Sequence, residues 1–152
     1  MNIGFGYDSH ALVGGRPLVI GGVRIPFTKG LKGHSDGDVL THAVMDALLG
    51  AAGLPDIGII FPAKNQKYKN ISSLLLLKKV KKRLGWRRLV NLDSVIICDR
   101  PPLNKFLLKM KKNIAGILNV SVSQISIKAK HAEGLAILRD KAILAGCVCL
   151  LQ

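Results

Sequence analysis

The stretch Asp38-Val39-Leu40-Thr41-His42-Ala43-Val44-Met45-Asp46-Ala47-Leu48-Leu49 decides the fold reading. It reads as a helix whose Val39, Leu40, Ala43, Ala47 and Leu48 share one apolar side. Gly53-Leu54-Pro55-Asp56 ends it and opens a loop that runs through Phe61-Pro62 to about Asn70. Upstream, Asn2–Tyr7 predicts a short strand, and Pro17–Ile25 (PLVIGGVRI) a strand pair or a bulged strand. Downstream, Ser72 is the expected N-cap of a helix that stops at Gly85. Asn91–Ser94 reads as the polar approach to a short buried strand, Val95–Cys98, which Pro101-Pro102 ends. Leu103, Phe106, Leu107, Met110, Ile114 and Ile117 recur at three- and four-residue spacing, an amphipathic helix with Lys105, Lys109, Lys111 and Lys112 on its other face. Ile125, Ile127 and Ala129 alternate as a strand, and Ala142–Leu151 is the expected last strand. The interleaving predicts an α/β (α+β) sandwich: a single domain over residues 1–152, with helices packed on one face of a mixed sheet.

Composition narrows the class. A chain of 152 residues, about half of them hydrophobic, can bury a real core and is not a disordered tail. The longest apolar run, near Leu135–Gln152, is broken by Arg139, Asp140 and Lys141, so no membrane span is expected. Met1–Tyr7 carries no positive charge, unlike a signal peptide. Cys98, Cys147 and Cys149 form no CxxC pair and read as core residues of a protein in a reducing compartment. The net charge of +14 first suggests a nucleic-acid partner. Its distribution argues otherwise. Residues 1–63 carry a net −1, residues 64–112 a net +13, and residues 113–152 a net +2. The run Lys78, Lys79, Lys81, Lys82, Arg83, Arg87 and Arg88 holds one aromatic, Trp86, too few for a single-strand binding surface. A solvated helix face is the favoured reading of that run.

Metal-type ligands crowd the other end. Asp8 and His10 are two apart, so on an extended backbone they face the same side. Asp38, His42 and Asp46 are four apart and share a helix face. Two histidines and a carboxylate with an open fourth position describe a catalytic zinc site, and Asp38 or Asp46 could hold the far nitrogen of His42. Spacing alone leaves the plainer alternative open: Asp8 and Asp38 as caps or turn residues, and His42 on the helix surface. Gly14-Gly15 and Gly21-Gly22 lack the Lys-Ser/Thr of a P-loop and read as turns or a bulge.

Three groups of residues resemble the 2-C-methyl-D-erythritol 2,4-cyclodiphosphate synthase family. They are Ile3–His10 (IGFGYDSH) with Gly21–Pro26 (GGVRIP), Gly33–Val39 (GHSDGDV) with His42-Ala43 and Asp46–Ala52 (DALLGAA), and Asp56-Ile57-Gly58 with Phe61-Pro62. The resemblance implies an α/β-sandwich homotrimer with active sites at subunit interfaces. It implies one Zn²⁺ per subunit on Asp8, His10 and His42, and a second divalent ion, Mg²⁺ or Mn²⁺. It also implies catalytic roles for His34 and His131. Asp8, His10, His34, Ser35, Asp56, Ile57, Gly58, Phe61, Arg100, Lys130 and Glu133 are the expected substrate-binding positions. The implied reaction is attack of a 2-phosphate on a β-phosphorus with loss of CMP, in non-mevalonate isoprenoid biosynthesis, in the cytoplasm of a bacterium.

The chain departs from the family pattern in its loops. Ala63-Lys64-Asn65 stands where the family has Asp-Thr-Asp, and Arg100 would have to replace a lysine in the nucleotide-binding stretch Cys98–Asn104. Lys130-His131 replaces a Thr-Thr pair, and Arg139–Ile143 falls where the family has Gly-Arg-x-Glu-Gly. A weakened or relic synthase, a metal-dependent phosphohydrolase and a basic nucleic-acid-binding protein are the alternatives. The expected partners are therefore a cytidine diphosphate substrate and further copies of the chain, with no membrane and no nucleic acid.

Overall fold

The computed structural model describes residues 1–133 and 141–152. In chain order the elements are β1 (Asn2–Gly14), β2 (Leu18–Ile20), β3 (Val23–Ile25), β4 (Lys29–Leu31), α1 (Val39–Ala51), α2 (Ile57–Ile60) and α3 (Ser73–Arg83). There follow β5 (Leu89–Ile97), α4 (Leu107–Leu118), β6 (Ile125–Lys130) and β7 (Ala142–Leu151), with single 3₁₀ turns at Gln66–Tyr68, Asn104–Phe106 and Val122–Gln124. Five strands form one sheet in the order β4-β1-β7-β5-β6. β5 and β6 run parallel and the other neighbours antiparallel, so the sheet is mixed as expected. β2 and β3 form the anticipated strand pair, closed by Gly21 and Gly22 at positive φ.

Burial alternates along β1 and β7, which places the core on one face of the sheet. On β7, Ile143, Ala145, Cys147, Cys149 and Leu151 are buried. On β1 the inward positions are Gly4 and Gly6, followed by Asp8 and His10. Ile3, Phe5 and Tyr7 alternate with them and are exposed. The inward face of α1 is apolar almost throughout, and Leu40, Ala43, Ala47 and Leu48 are fully buried. Each leucine-sized side chain buried in this way contributes about 1.5–3 kcal/mol.

Two glycines set how closely α1 lies on β1. A Cβ on Gly4 would fall 1.9 Å from the Ala47 carbonyl oxygen. One on Gly6 would fall 2.0 Å from the Ala43 carbonyl oxygen and 2.5 Å from the Ala47 nitrogen. The obstacles are helix backbone, so no side-chain rotation relieves them. Asp38 fixes the helix start. Its carboxylate accepts the N–H of Gly21 (2.8 Å), Gly22 (2.7 Å) and Thr41 (3.0 Å), and the Thr41 hydroxyl (2.7 Å). It thereby caps α1 and pins the β2–β3 turn at once.

Five elements differ from the sequence reading. β1 runs on to Gly14; its next inward positions after Gly6 are Asp8 and His10, and these polar residues hide the apolar alternation. β5 begins at Leu89 and takes in Asn91–Ser94, whose exposed Asp93 pairs across to Lys128 on β6. β4 and the short α2 escaped detection, being three and four residues long. α4 starts at Leu107, after a 3₁₀ turn that takes up Asn104–Phe106. Ser72 stands at the N-cap of α3 without a side-chain capping bond. Of the departing segment Arg139–Ile143, Arg139 and Asp140 lie outside the described residues.

Gly6→Ala tests the close approach. The substitution is expected to destabilise the chain by about 1–3 kcal/mol or more through overpacking. Urea unfolding of the two proteins measures it, and an unchanged midpoint would show that α1 does not rest on this glycine.

Candidate metal centre

The inward face of β1 delivers Asp8 and His10, and α1 delivers His42 across the glycine contact. Asp8 Oδ2 lies 2.8 Å from His10 Nε2 and 2.9 Å from His42 Nδ1, and the two ring nitrogens are 3.1 Å apart. Three ligand atoms thus converge on one point. A tetrahedral zinc ion with ligands at about 2.0–2.1 Å would hold them at roughly 3.3 Å from one another. The triangle is slightly tighter and has the right donor types, so the residues present fit such an ion. The helix-surface alternative for His42 fails, since the side chain is buried.

The electrostatics follow from the same contacts. Burial pushes the Asp8 carboxyl up, but hydrogen bonds and charge from His10 and His42 outweigh it and hold it well below the usual carboxylate range. Burial pushes His42 down, but the carboxylates of Asp8, Asp38 and Asp36 outweigh it and raise its affinity for a proton. Burial raises Asp38 and Asp46. Burial likewise keeps the Cys147 thiol protonated and pushes Cys149 up to about 11, as befits core residues.

Neither Asp38 nor Asp46 holds the far nitrogen of His42, contrary to the spacing argument. Asp38 is committed to its cap. Asp46 Oδ1 accepts the Ile57 N–H at 2.9 Å and so fixes the loop after α1. The far nitrogen, Nε2, instead meets two serine hydroxyls, Ser35 at 3.1 Å and Ser73 at 3.0 Å. Ser73 and its partner Asp36 escaped the sequence reading because they approach from α3 and from the loop before α1. Arg16 was missed as well. Its guanidinium donates to the carbonyls of Gly33 (2.7 Å) and Ser35 (2.6 Å) and ties down the loop that carries His34. A run of polar residues before a helix was the available signal, but nothing in it names a partner.

Beside the triad lies a cavity of about 150 Å³ lined by His34, Ser35, His42, Ile57, Gly58, Phe61 and Ala63, among others. Five of the expected substrate positions therefore meet there. Asp56 is not in its lining. Its carboxylate accepts the Gly58 and Ile59 N–H groups (2.7 and 3.1 Å) and caps α2. Lys64 is exposed, and Asn65 caps the following 3₁₀ turn. A second cavity, of about 330 Å³, is lined by Cys98, Pro102, Leu103, Asn104, Ala129, Lys130, His131 and Glu133. Asp99 shapes its rim by accepting the Ala132 N–H at 2.7 Å, with His131 Nδ1 at 3.8 Å. Arg100 is exposed and does not line it. Among the described residues the two cavities share no lining residue.

The metal-free chain and the loaded chain should respond to pH in opposite directions. His42 gains a proton more readily when folded than unfolded, so its contribution is full below about pH 6.5 and fades as pH rises through its folded value. Asp8 binds its proton less readily when folded, so its contribution is full above about pH 4 and is lost only in stronger acid. Metal-free stability should therefore peak between these limits, whereas stabilisation by added zinc should grow with pH as the imidazole proton leaves. Thermal unfolding from pH 5 to pH 8, with and without zinc, checks both slopes.

A model of the YgbB family matches residues 1–152. A 2-C-methyl-D-erythritol 2,4-cyclodiphosphate synthase of Pelotomaculum thermopropionicum is 57% identical over 137 residues, 89% of this chain and 85% of that protein. A solved 2C-methyl-D-erythritol-2,4-cyclodiphosphate synthase in a CDP-bound form superposes with a TM-score of 0.90 at 34% identity, covering 99% of both chains. The bifunctional IspDF of Campylobacter jejuni gives 0.94 at 38% identity, where 99% of this chain spans 42% of that one. This chain belongs to the YgbB family, whose curated relatives here bear the name of cyclodiphosphate synthases.

Proposed function

We propose that the chain converts 4-diphosphocytidyl-2-C-methyl-D-erythritol 2-phosphate into 2-C-methyl-D-erythritol 2,4-cyclodiphosphate and CMP. The observation that carries this reading is the convergence of Asp8, His10 and His42, with His42 in the wall of the cavity that His34, Ser35, Ile57, Gly58 and Phe61 also line. The names of the relatives give the product, one solved relative is in a CDP-bound form, and the substrate is the one the family resemblance implies.

The reaction asks little of a base. An oxygen of the 2-phosphate forms a bond to the β-phosphorus, the bond from that phosphorus to the bridging oxygen breaks, and CMP leaves with the electron pair. No proton is gained or lost in the balance. The protein's work is alignment and neutralisation of negative charge. Zn²⁺ on Asp8, His10 and His42, with Mg²⁺ or Mn²⁺ as the second ion, would supply Lewis-acid stabilisation of the phosphoryl oxygens. His34 and the Ser35 hydroxyl, both in the cavity wall, donate hydrogen bonds to the diphosphate. Gly58 admits the substrate close to the backbone, beside Ile57 and Phe61, and Asp56 holds that turn in shape. Lys130 and His131 offer positive charge or hydrogen bonds to phosphate at the second cavity, with Glu133 beside them. Arg100, exposed and outside that lining, is the positive charge that the Cys98–Asn104 stretch offers to the nucleotide.

The active enzyme in this reading is a cytoplasmic homotrimer. Two features support it. Among the described residues the metal-side cavity and the Lys130 cavity have separate linings, which suits a site completed by a neighbouring copy. The sheet face opposite α1 leaves Ile3, Phe5, Tyr7 and Val148 exposed, an apolar surface suited to other copies. Among the described residues no helix is long and apolar enough to cross a membrane.

The assay is CMP release from the diphosphocytidyl substrate, with the cyclic product identified by mass. Both should appear, and His42→Ala should abolish zinc content and turnover together. CMP without the cyclic product would indicate hydrolysis. Zinc without turnover would indicate a relic, and tight salt-dependent RNA binding without turnover would favour the nucleic-acid reading. Phe5→Asp should lower the sedimentation mass from three times 16.4 kDa towards that of one chain. A wild-type protein that sediments as a monomer would contradict the trimer.

A further inference from the structure

Ser73, the first residue of α3, is fully buried against the far edge of His42. Its hydroxyl donates to Asp36 Oδ1 at 2.5 Å, and its backbone N–H donates to Asp36 Oδ2 at 2.9 Å. Both carboxylate oxygens of Asp36 are thus held by one residue. The loop itself is anchored where the Asp36 N–H donates to the Ile71 carbonyl at 3.1 Å. Ser73 Oγ also lies 3.0 Å from His42 Nε2.

A serine hydroxyl has one proton to give. Here it goes to the carboxylate, the shorter and charge-assisted contact. Towards His42 the same oxygen can therefore only accept. A bare Nε2 would set two lone pairs against each other at a buried position. Ser35 Oγ, at 3.1 Å from the same nitrogen, can donate or accept and so does not decide the matter. Ser73 does. With an ion held among the three ligand atoms, the proton of neutral His42 belongs on Nε2 and the lone pair on Nδ1, the atom 2.9 Å from Asp8 Oδ2 and 3.1 Å from His10 Nε2; in the metal-free chain Asp8 draws a proton to Nδ1 as well.

We propose that Asp36 and Ser73 are positioning residues that hold His42 in its Nε2–H form and orient its Nδ1 lone pair towards the divalent ion. The inference deepens the zinc reading and rests on it. A histidine ligand is commonly steered by a partner on its other nitrogen. In this chain the carboxylate acts through an intervening hydroxyl, and that hydroxyl belongs to a different helix. The arrangement ties the start of α3 to the metal centre.

The test compares the wild-type protein with Ser73→Ala and Asp36→Asn. Zinc affinity is read by competition with a chromophoric chelator. The proton's position is read from long-range ¹H–¹⁵N spectra of the zinc-loaded, ¹⁵N-histidine-labelled proteins. The wild type should show a protonated Nε2 and a coordinated Nδ1 on His42. Ser73→Ala should weaken zinc binding by about 10–100-fold and broaden or shift the Nε2–H signal, as outer partners of metal ligands do. Asp36→Asn leaves Ser73 in place but weakens the demand on its proton, so a smaller loss in the same direction is expected. That variant decides the matter if Ser73→Ala fails to fold. Unchanged affinity with an unchanged His42 spectrum in the folded variants would overturn the relay while leaving the zinc site standing. A wild-type protein that takes up no zinc would overturn both.

Discussion

Much of this structure depends on the absence of two side chains. Gly4 and Gly6 let the backbone of α1 come within contact distance of β1, closer than any Cβ would allow. The approach does more than fill the core. It places His42, one residue before Ala43, across from Asp8, two residues beyond Gly6. The chain thereby converts a packing contact into a coordination geometry. The residues that face the helix on β1 change from glycine to ligand along a single strand, so core and metal centre are consecutive parts of one surface.

The charges around that surface are arranged by commitment. Asp8 is exposed to two imidazoles, which keep it ionised in spite of burial. Asp38 spends its oxygens on two turn N–H groups and on Thr41, and so locks the start of α1 against the β2–β3 turn. Asp46 holds the turn after the helix, and Asp36 holds Ser73. Four acids within one sequence region thus have four distinct tasks, and Asp8 is the one among them that faces the ligand point. This explains why residues 1–63 are the acidic part of a strongly basic chain. The basic excess lies on α3 and α4 and in the loops beside them, where Lys64, Lys67 and Lys69 flank the cavity residues Ala63 and Tyr68.

The sequence made the sheet and helices legible wherever apolar periodicity was uninterrupted. α1, α3, α4 and β7 are where their patterns place them, within a few residues. It was less informative where polar side chains point inward, as along the second half of β1, or where a strand carries charge on its open face, as at Asp93 of β5. The candidate metal triad could be read because its spacing, two positions on a strand and then one on a helix, maps directly onto one face each. Their supporting residues could not. Spacing favoured Asp38 or Asp46 as the partner of His42, since both lie one turn away on the same helix. The fold instead turns that edge of the ring towards α3, and a serine thirty-one residues on supplies the contact. Neighbours along a helix are visible in a sequence, whereas neighbours across a loop are not.

The central claim is that the approach of α1 to β1 assembles one carboxylate and two imidazoles around a single ion. X-ray absorption at the zinc edge of the zinc-loaded protein tests it most directly. Four nitrogen or oxygen neighbours at about 2.0–2.1 Å are expected, with the outer-shell scattering of two imidazole rings and no sulfur. Sulfur at about 2.3 Å, or a shell without imidazole scattering, would contradict it.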